Sequence, residues 1–380
     1  VLISRKKFLQ ISAGSIAGVA LANLWLPKLL EAANVKNGKG RLPIIWFQGQ
    51  ACTGCPVSFI NTEYPGADEV LIEVIILEYL PTVMGGTGDV ALGTIDRAMK
   101  ETPGKYILAV DGSIPLEADG HYCTVGEKNE QPVTALEWIK EIGENSLAVV
   151  AVGSCATWGG IPAAPPNPTG AVPASKVIKD KPIINIPGCP PHPDWIVGTL
   201  VNVLKYGIPE LDDLNRPTMF FGGDKLIHDN CELRQYFDAG IFAKDFGEEG
   251  CLYELGCKGP VAHCDVSTRG WNSGVSWCNR SGGPCIGCTE PFFPGGAGSG
   301  LYEKLPAAEV PGLASVNANV NTVGVALGGA VVAGIGAHAI ARAVTTKRMK
   351  SKAKQEASQE SKSESETVEN DNEVKEEEDK

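Results

Sequence analysis

Where the cysteines fall constrains this chain more than any other feature. Cys52-Thr53-Gly54-Cys55 follows directly on the apolar run Ile44-Ile45-Trp46-Phe47, Cys155 follows the run Leu147 to Val152, and Cys189 follows Ile183 to Ile186. With Val74 to Leu77 and Tyr106 to Val110, these runs read as buried strands of a parallel sheet. Segments such as Val133 to Ile142 and Asp194 to Lys205 have helical spacing, which predicts a doubly wound α/β fold over residues 42–215. Ligands of such a sheet bind beyond the carboxyl ends of its strands, so four thiols converge on one edge. Four thiolates are what a cubane of four irons requires. Zinc held by four cysteines and plain disulfides stay open at this point, although zinc sites more often show two C-x-x-C knuckles. No G-x-G-x-x-G and no G-x-x-x-x-G-K-[ST] occurs, so the crevice is not read as a dinucleotide or P-loop site.

Beyond Pro217 the rhythm changes. Glycine, proline and cysteine become dense, strand-like runs disappear, and residues 216–300 look like a second domain held by something other than a large apolar core. His228-Asp229-Asn230-Cys231 sets an imidazole three residues from a thiol, with Cys251 and Cys257 downstream. Cys264, Cys278, Cys285 and Cys288 make a further set of four. Eleven of the twelve cysteines and one histidine are thereby grouped into three sites, and Cys123 is left as a buried free thiol. Three iron–sulfur sites in one chain imply electron conduction rather than a single catalytic centre.

The net charge of −12 is mostly local. Residues 355–380 carry eleven acids and three bases, and the other 354 residues carry only −4. That balance argues against nucleic-acid binding, which needs a basic face. The tail over 345–380 reads as disordered. At the other end, Ser4-Arg5-Lys6-Lys7-Phe8-Leu9 before an uncharged apolar run has the layout of an export signal over residues 1–33. Val323 to Ala341 is nineteen residues without a formal charge apart from His338, and basic residues follow, so a C-terminal transmembrane anchor is expected over 320–344, with the body on the periplasmic or extracytoplasmic side.

Five motifs carry a family resemblance: Gln48-Gly49-Gln50-Ala51-Cys52-Thr53-Gly54-Cys55, Gly153-Ser154-Cys155-Ala156-Thr157, Ile186-Pro187-Gly188-Cys189-Pro190-Pro191-His192-Pro193, Gly256-Cys257-Lys258-Gly259-Pro260 and Pro284-Cys285-Ile286-Gly287-Cys288. Together they make the chain resemble the small subunit of a respiratory NiFe hydrogenase, nearest the NiFeSe branch, and its signal resembles a twin-arginine signal with Lys6 in place of the second arginine. The resemblance implies a flavodoxin-like first domain, a cluster-bearing second domain, and a NiFe or NiFeSe large-subunit partner that holds the catalytic centre. It implies a proximal 4Fe-4S cluster on Cys52, Cys55, Cys155 and Cys189, and a distal 4Fe-4S cluster on His228, Cys231, Cys251 and Cys257. The medial cluster falls to Cys264, Cys278, Cys285 and Cys288; family members with proline in place of Cys278 carry a 3Fe-4S medial cluster, so a 4Fe-4S cluster is expected here. Electrons from dihydrogen would leave toward a membrane cytochrome or another respiratory acceptor. The additional cysteines of oxygen-tolerant members correspond to Gly54 and Gly160, which implies an ordinary proximal cubane. The competing expectations are an exported, membrane-anchored binding protein stabilised by zinc or disulfides, and a subunit of another redox complex sharing only the first site.

Overall fold

The computed structural model describes residues 40–295 and 300–305. Five strands form one sheet: β1 (Leu42–Gln48), β2 (Ile75–Tyr79), β3 (Ile107–Asp111), β4 (Ala148–Val152) and β5 (Ile183–Ile186). Their order is β2-β1-β3-β4-β5 and every neighbouring pair is parallel. This is the flavodoxin-like order of a doubly wound sheet.

Both faces of the sheet are covered, which is why its strands are apolar on both sides. Along β1, Ile44 and Trp46 join one apolar cluster, whereas Ile45 and Phe47 join the other. The second cluster is closed by α2 (Gly88–Glu101) through Ile95 and Ala98, and by α3 (Ala135–Glu144) through Trp138, Ile139 and Ile142. The first is closed by α1 (Gly54–Ile60) through Phe59 and by α5 (Pro193–Tyr206) through Trp195, Ile196 and Leu200. It continues without a break into Phe220, Ile227, Leu252 and Trp277, so the loop-rich stretch packs on that face. Among the described residues beyond Pro217 there are short helical turns and isolated bridges but no strand. Short α4 (Ser154–Trp158) follows β4 directly.

Helix α3 begins with a reciprocal cap. The Thr134 hydroxyl accepts from the Glu137 N–H at 3.1 Å, and the Glu137 carboxylate takes the Thr134 N–H at 2.8 Å. Thr134→Ala is expected to cost about 1 kcal/mol, read as an earlier urea midpoint.

The expected fold needs correction at its C-terminal end. Among the described residues no helix is long and apolar enough to cross a membrane. The longer helices, α2 and α5, have fourteen residues each, roughly 21 Å against a hydrocarbon core of about 30 Å. The transmembrane helix, and with it the anchored localisation, is therefore withdrawn. Residues 320–344, the signal at 1–33 and the tail at 345–380 lie outside the described residues.

Candidate functional site

The first four thiols meet at the carboxyl edge of the sheet. Cys52 leaves the loop after β1, and Cys55 lies in the first turn of α1, which Thr53 opens in a left-handed conformation (φ 64°). Cys155 lies in the first turn of α4, and Cys189 follows β5. Gly153, at φ 88°, is required here: a Cβ would stand 2.5 Å from the Cys55 Sγ. Burial pushes the Cys155 thiol up to about 12, with Cys189 and Cys52 adding to the rise. Burial also pushes Cys55 well up, with Asp111, Cys155 and Cys52 contributing. A metal group that takes such thiols must displace their protons.

Two residues beside these thiols are not among the candidate site residues: Asp111, which lies outside every motif, and Ser154, whose place in the Gly153 to Thr157 motif was read only for Cys155. Asp111, at the end of β3, is buried beside Cys55 and accepts a hydrogen bond from Gln48 Nε2 at 3.0 Å; burial pushes its carboxyl up. An acid at the end of a buried strand, on the edge where thiols gather, was the available clue. Ser154 binds the turns together. Its N–H donates to Gly188 O at 2.9 Å, its hydroxyl accepts from the Gly188 N–H at 3.0 Å, and the same hydroxyl donates to Cys288 O.

A second set lines a cavity formed by His228, Cys231, Cys251 and Cys257, with Tyr253, Arg234 and Asn279 among its walls. Asn279 Nδ2 lies 3.5 Å from Cys231 Sγ, and the Leu233 and Gly259 N–H groups point at Cys231 and Cys257 Sγ, each at 3.4 Å. Such donors stabilise sulfur-borne negative charge. The Asn279 Oδ1 is buried without a partner. Burial and then Arg234 hold His228 below its ordinary value, which favours the neutral imidazole that a metal ligand requires.

The third set, Cys264, Cys278, Cys285 and Cys288, lines one cavity of about 320 Å³ walled by Trp195, Ile227 and Trp271. Cys189 of the first set also lines it, and the Cys189 N–H donates toward Cys288. Cys257 of the second set lies in electrostatic reach of Cys285 and Cys278. The three sets thus form a row, with the third in the middle. Cys123 lies apart, packed against the cluster on the opposite sheet face.

All twelve cysteines are free thiols, which removes the disulfide reading. The expectation of metal binding is also corrected: among the described residues no group of three or more His, Cys, Asp or Glu side chains could hold a metal ion. The second and third sets line cavities rather than converging on a single point. Side chains that each hold a different iron of a cluster stand farther apart than those sharing one ion. Soft sulfur ligands, the Leu233 and Gly259 N–H groups aimed at sulfur and the Asn279 Nδ2 beside Cys231 fit an iron–sulfur cluster as donor environment.

Comparison with known proteins agrees with this geometry. Residues 52–203 match the family of the NADH ubiquinone oxidoreductase 20 kDa subunit, and residues 224–299 match the family of the C-terminal part of NiFe/NiFeSe hydrogenase small subunits. A periplasmic [NiFeSe] hydrogenase small subunit from Desulfomicrobium baculatum is 42% identical over 314 residues, covering 77% of this chain and 97% of that protein. An uptake hydrogenase small subunit from Azotobacter vinelandii is 39% identical, covering 90% of this chain and 93% of that one. The structure of a reduced, active form of the Ni-Fe-Se hydrogenase from Desulfomicrobium baculatum aligns with a TM-score of 0.66 at 44% identity, over 70% of this chain and 100% of that one.

The family likeness, over a fold that accommodates it, defines an electron-transfer subunit of a hydrogenase, working with a large subunit. The chain belongs to the NiFe/NiFeSe hydrogenase small-subunit family, and its likeness is to the NiFeSe branch. A subunit of another redox complex accounts for the first match alone and leaves residues 224–299 unexplained.

Proposed function

We propose that this chain conducts electrons from the large subunit's nickel-iron site through three 4Fe-4S clusters to a respiratory acceptor. The proximal ligands are Cys52, Cys55, Cys155 and Cys189; the medial ligands are Cys264, Cys278, Cys285 and Cys288; the distal ligands are His228, Cys231, Cys251 and Cys257. Each cluster, when bound, takes up and hands on one electron at a time. The observation that carries this reading is the row of three sites, joined by Cys189 at one boundary and Cys257 at the other. The division near residue 215 is then one of labour, with the proximal ligands in 42–215 and the others in 216–300.

The chain's own residues position and insulate. Ser154 locks the Cys155 and Cys189 turns to the Cys288 backbone. Trp195, Trp271 and Ile227 wall the medial cavity with apolar surface. Cys52 and Cys189 are exposed, and Val57, Ile60 and Tyr64 are exposed apolar side chains on or just beyond α1. Such a patch beside the proximal thiols supports docking of the large subunit there. His228, a neutral donor replacing a thiolate, makes the distal site less negative and eases exit to a cytochrome or other acceptor. The name of the Azotobacter relative supports the direction of dihydrogen oxidation, and that of the Desulfomicrobium relative supports work in the periplasm.

EPR of the oxidised and reduced complex, combined with iron and sulfide analysis, tests the relay. A strong three-iron signal in the oxidised protein would refute the role of Cys278 as the fourth medial ligand. His228→Gly is expected to slow turnover with external acceptors roughly 10-fold or more while leaving isotope exchange at the partner's active site near wild type. Equal loss of both activities would remove His228 from the exit.

A further inference from the structure

The side chain of Lys258 is fully buried between two of these sites. It directly follows Cys257, and its own N–H donates to Cys285 O at 2.7 Å. Its Nζ donates to Gly256 O at 2.8 Å, Gly300 O at 3.3 Å and Glu303 O, so all three ammonium hydrogens have carbonyl acceptors. No carboxylate among the described residues lies within ion-pair distance of it, although the buried Arg216 has two such partners. A buried cation without a carboxylate is costly unless another anion offsets it. Burial holds the ammonium below the ordinary lysine range, and the groups that oppose this by favouring its charge are Cys257 and Cys285, then Glu303. The backbone is shaped to keep it there. Gly287 leaves only 3.2 Å between a would-be Cβ and the Lys258 Cβ, and Gly256, at φ 91°, lies against the Tyr302 backbone, where a Cβ would come within 2.2 Å of the carbonyl oxygen.

We propose that Lys258 sets the potentials of two clusters at once. Resting on the cluster assignment above, it is a fixed positive charge shared by the medial ligand Cys285 and the distal ligand Cys257. A cation beside a cluster stabilises its reduced, more negative state and raises its potential. One cation between two clusters raises both, which keeps the step between them nearly level, and its effect on the proximal site is smaller. The three carbonyls fix the charge in place and tie residues 300–303 over it.

The test is potentiometric EPR of the anaerobically purified heterodimer. Lys258→Gln retains a donor of similar reach without charge, and Lys258→Arg retains the charge. In Lys258→Gln the medial and distal clusters should each become about tenfold harder to reduce, a fall of about 59 mV for one electron, with the proximal cluster unmoved and Lys258→Arg close to wild type. No shift in Lys258→Gln, a shift at only one of the two clusters, or an equal shift in Lys258→Arg would overturn the proposal. Loss of both clusters from Lys258→Gln with Lys258→Arg intact counts for the charge, and loss from both variants counts against it. Iron and sulfide in the wild-type complex separate the two levels: without three clusters the assignment itself fails, whereas intact clusters with unmoved potentials defeat only the role of Lys258.

Discussion

Cys189→Ser is expected to abolish delivery of hydrogen-derived electrons to any acceptor while isotope exchange in the large subunit persists. Serine presents a hard oxygen where a soft thiolate is needed, and its proton is harder to lose. The effect should exceed that of a peripheral ligand because Cys189 serves two sites. Its thiol is in electrostatic contact with Cys52 and Cys155, and its N–H donates toward Cys288 in the medial cavity it helps to line. Iron should fall by about four atoms per heterodimer, the content of one cubane, and the medial EPR signal should broaden or shift with it. Cys123→Ser is the control. Cys123 packs against the apolar cluster on the other sheet face, so that variant should retain its iron and its turnover. Full iron and normal electron delivery in Cys189→Ser would defeat the proximal assignment.

The sheet was legible because buried parallel strands are apolar on both faces and end where the chain needs turn chemistry. The runs at Ile44, Val74, Tyr106, Leu147 and Ile183 all lie on or within a residue of strands of one sheet, and the thiols after three of them do gather on its edge. The grouping of the later cysteines was legible only through spacing and family likeness. Cys278 and Cys264 are fourteen residues apart, and it is the folded loop-rich stretch that brings them to one cavity. What the pattern did not disclose is the polar framework. Asp111 lies outside every motif, and Ser154 and Lys258 stand in motifs that were read only for their cysteines; what these three side chains do is set by burial and by partners as distant in sequence as Cys288. The expected membrane helix rested on the uncharged run from Val323 to Ala341, which lies outside the described residues, and nothing among the described residues is long and apolar enough to stand in for it.

Arg216→Met is expected to be the most destabilising single change outside the cluster ligands. Arg216 and Glu290 are both about nine-tenths buried or more, with NH1 3.0 Å from Glu290 Oε1 and 3.1 Å from Thr289 O. Its Nε donates to Asp212 Oδ2 at 2.8 Å, and the Glu290 carboxylate also accepts the His263 N–H at 2.7 Å. One guanidinium thus joins the segment after α5 to the strand of chain that carries Cys288, one residue before Thr289. Methionine fills similar space but leaves a buried carboxylate without its cation, a loss of about 3–5 kcal/mol. Because the pair's attraction largely offsets its own desolvation, removing both charges should cost far less than removing one. Arg216→Met with Glu290→Gln should therefore recover most of the stability, since glutamine still accepts from the His263 N–H. Anaerobic urea unfolding of the heterodimer, followed by iron release, distinguishes the cases: the single variant should lose its medial cluster at lower urea than the double. If the double variant is as unstable as the single, shape and hydrogen bonding rather than charge compensation hold this junction, and the cation would have no role beyond packing.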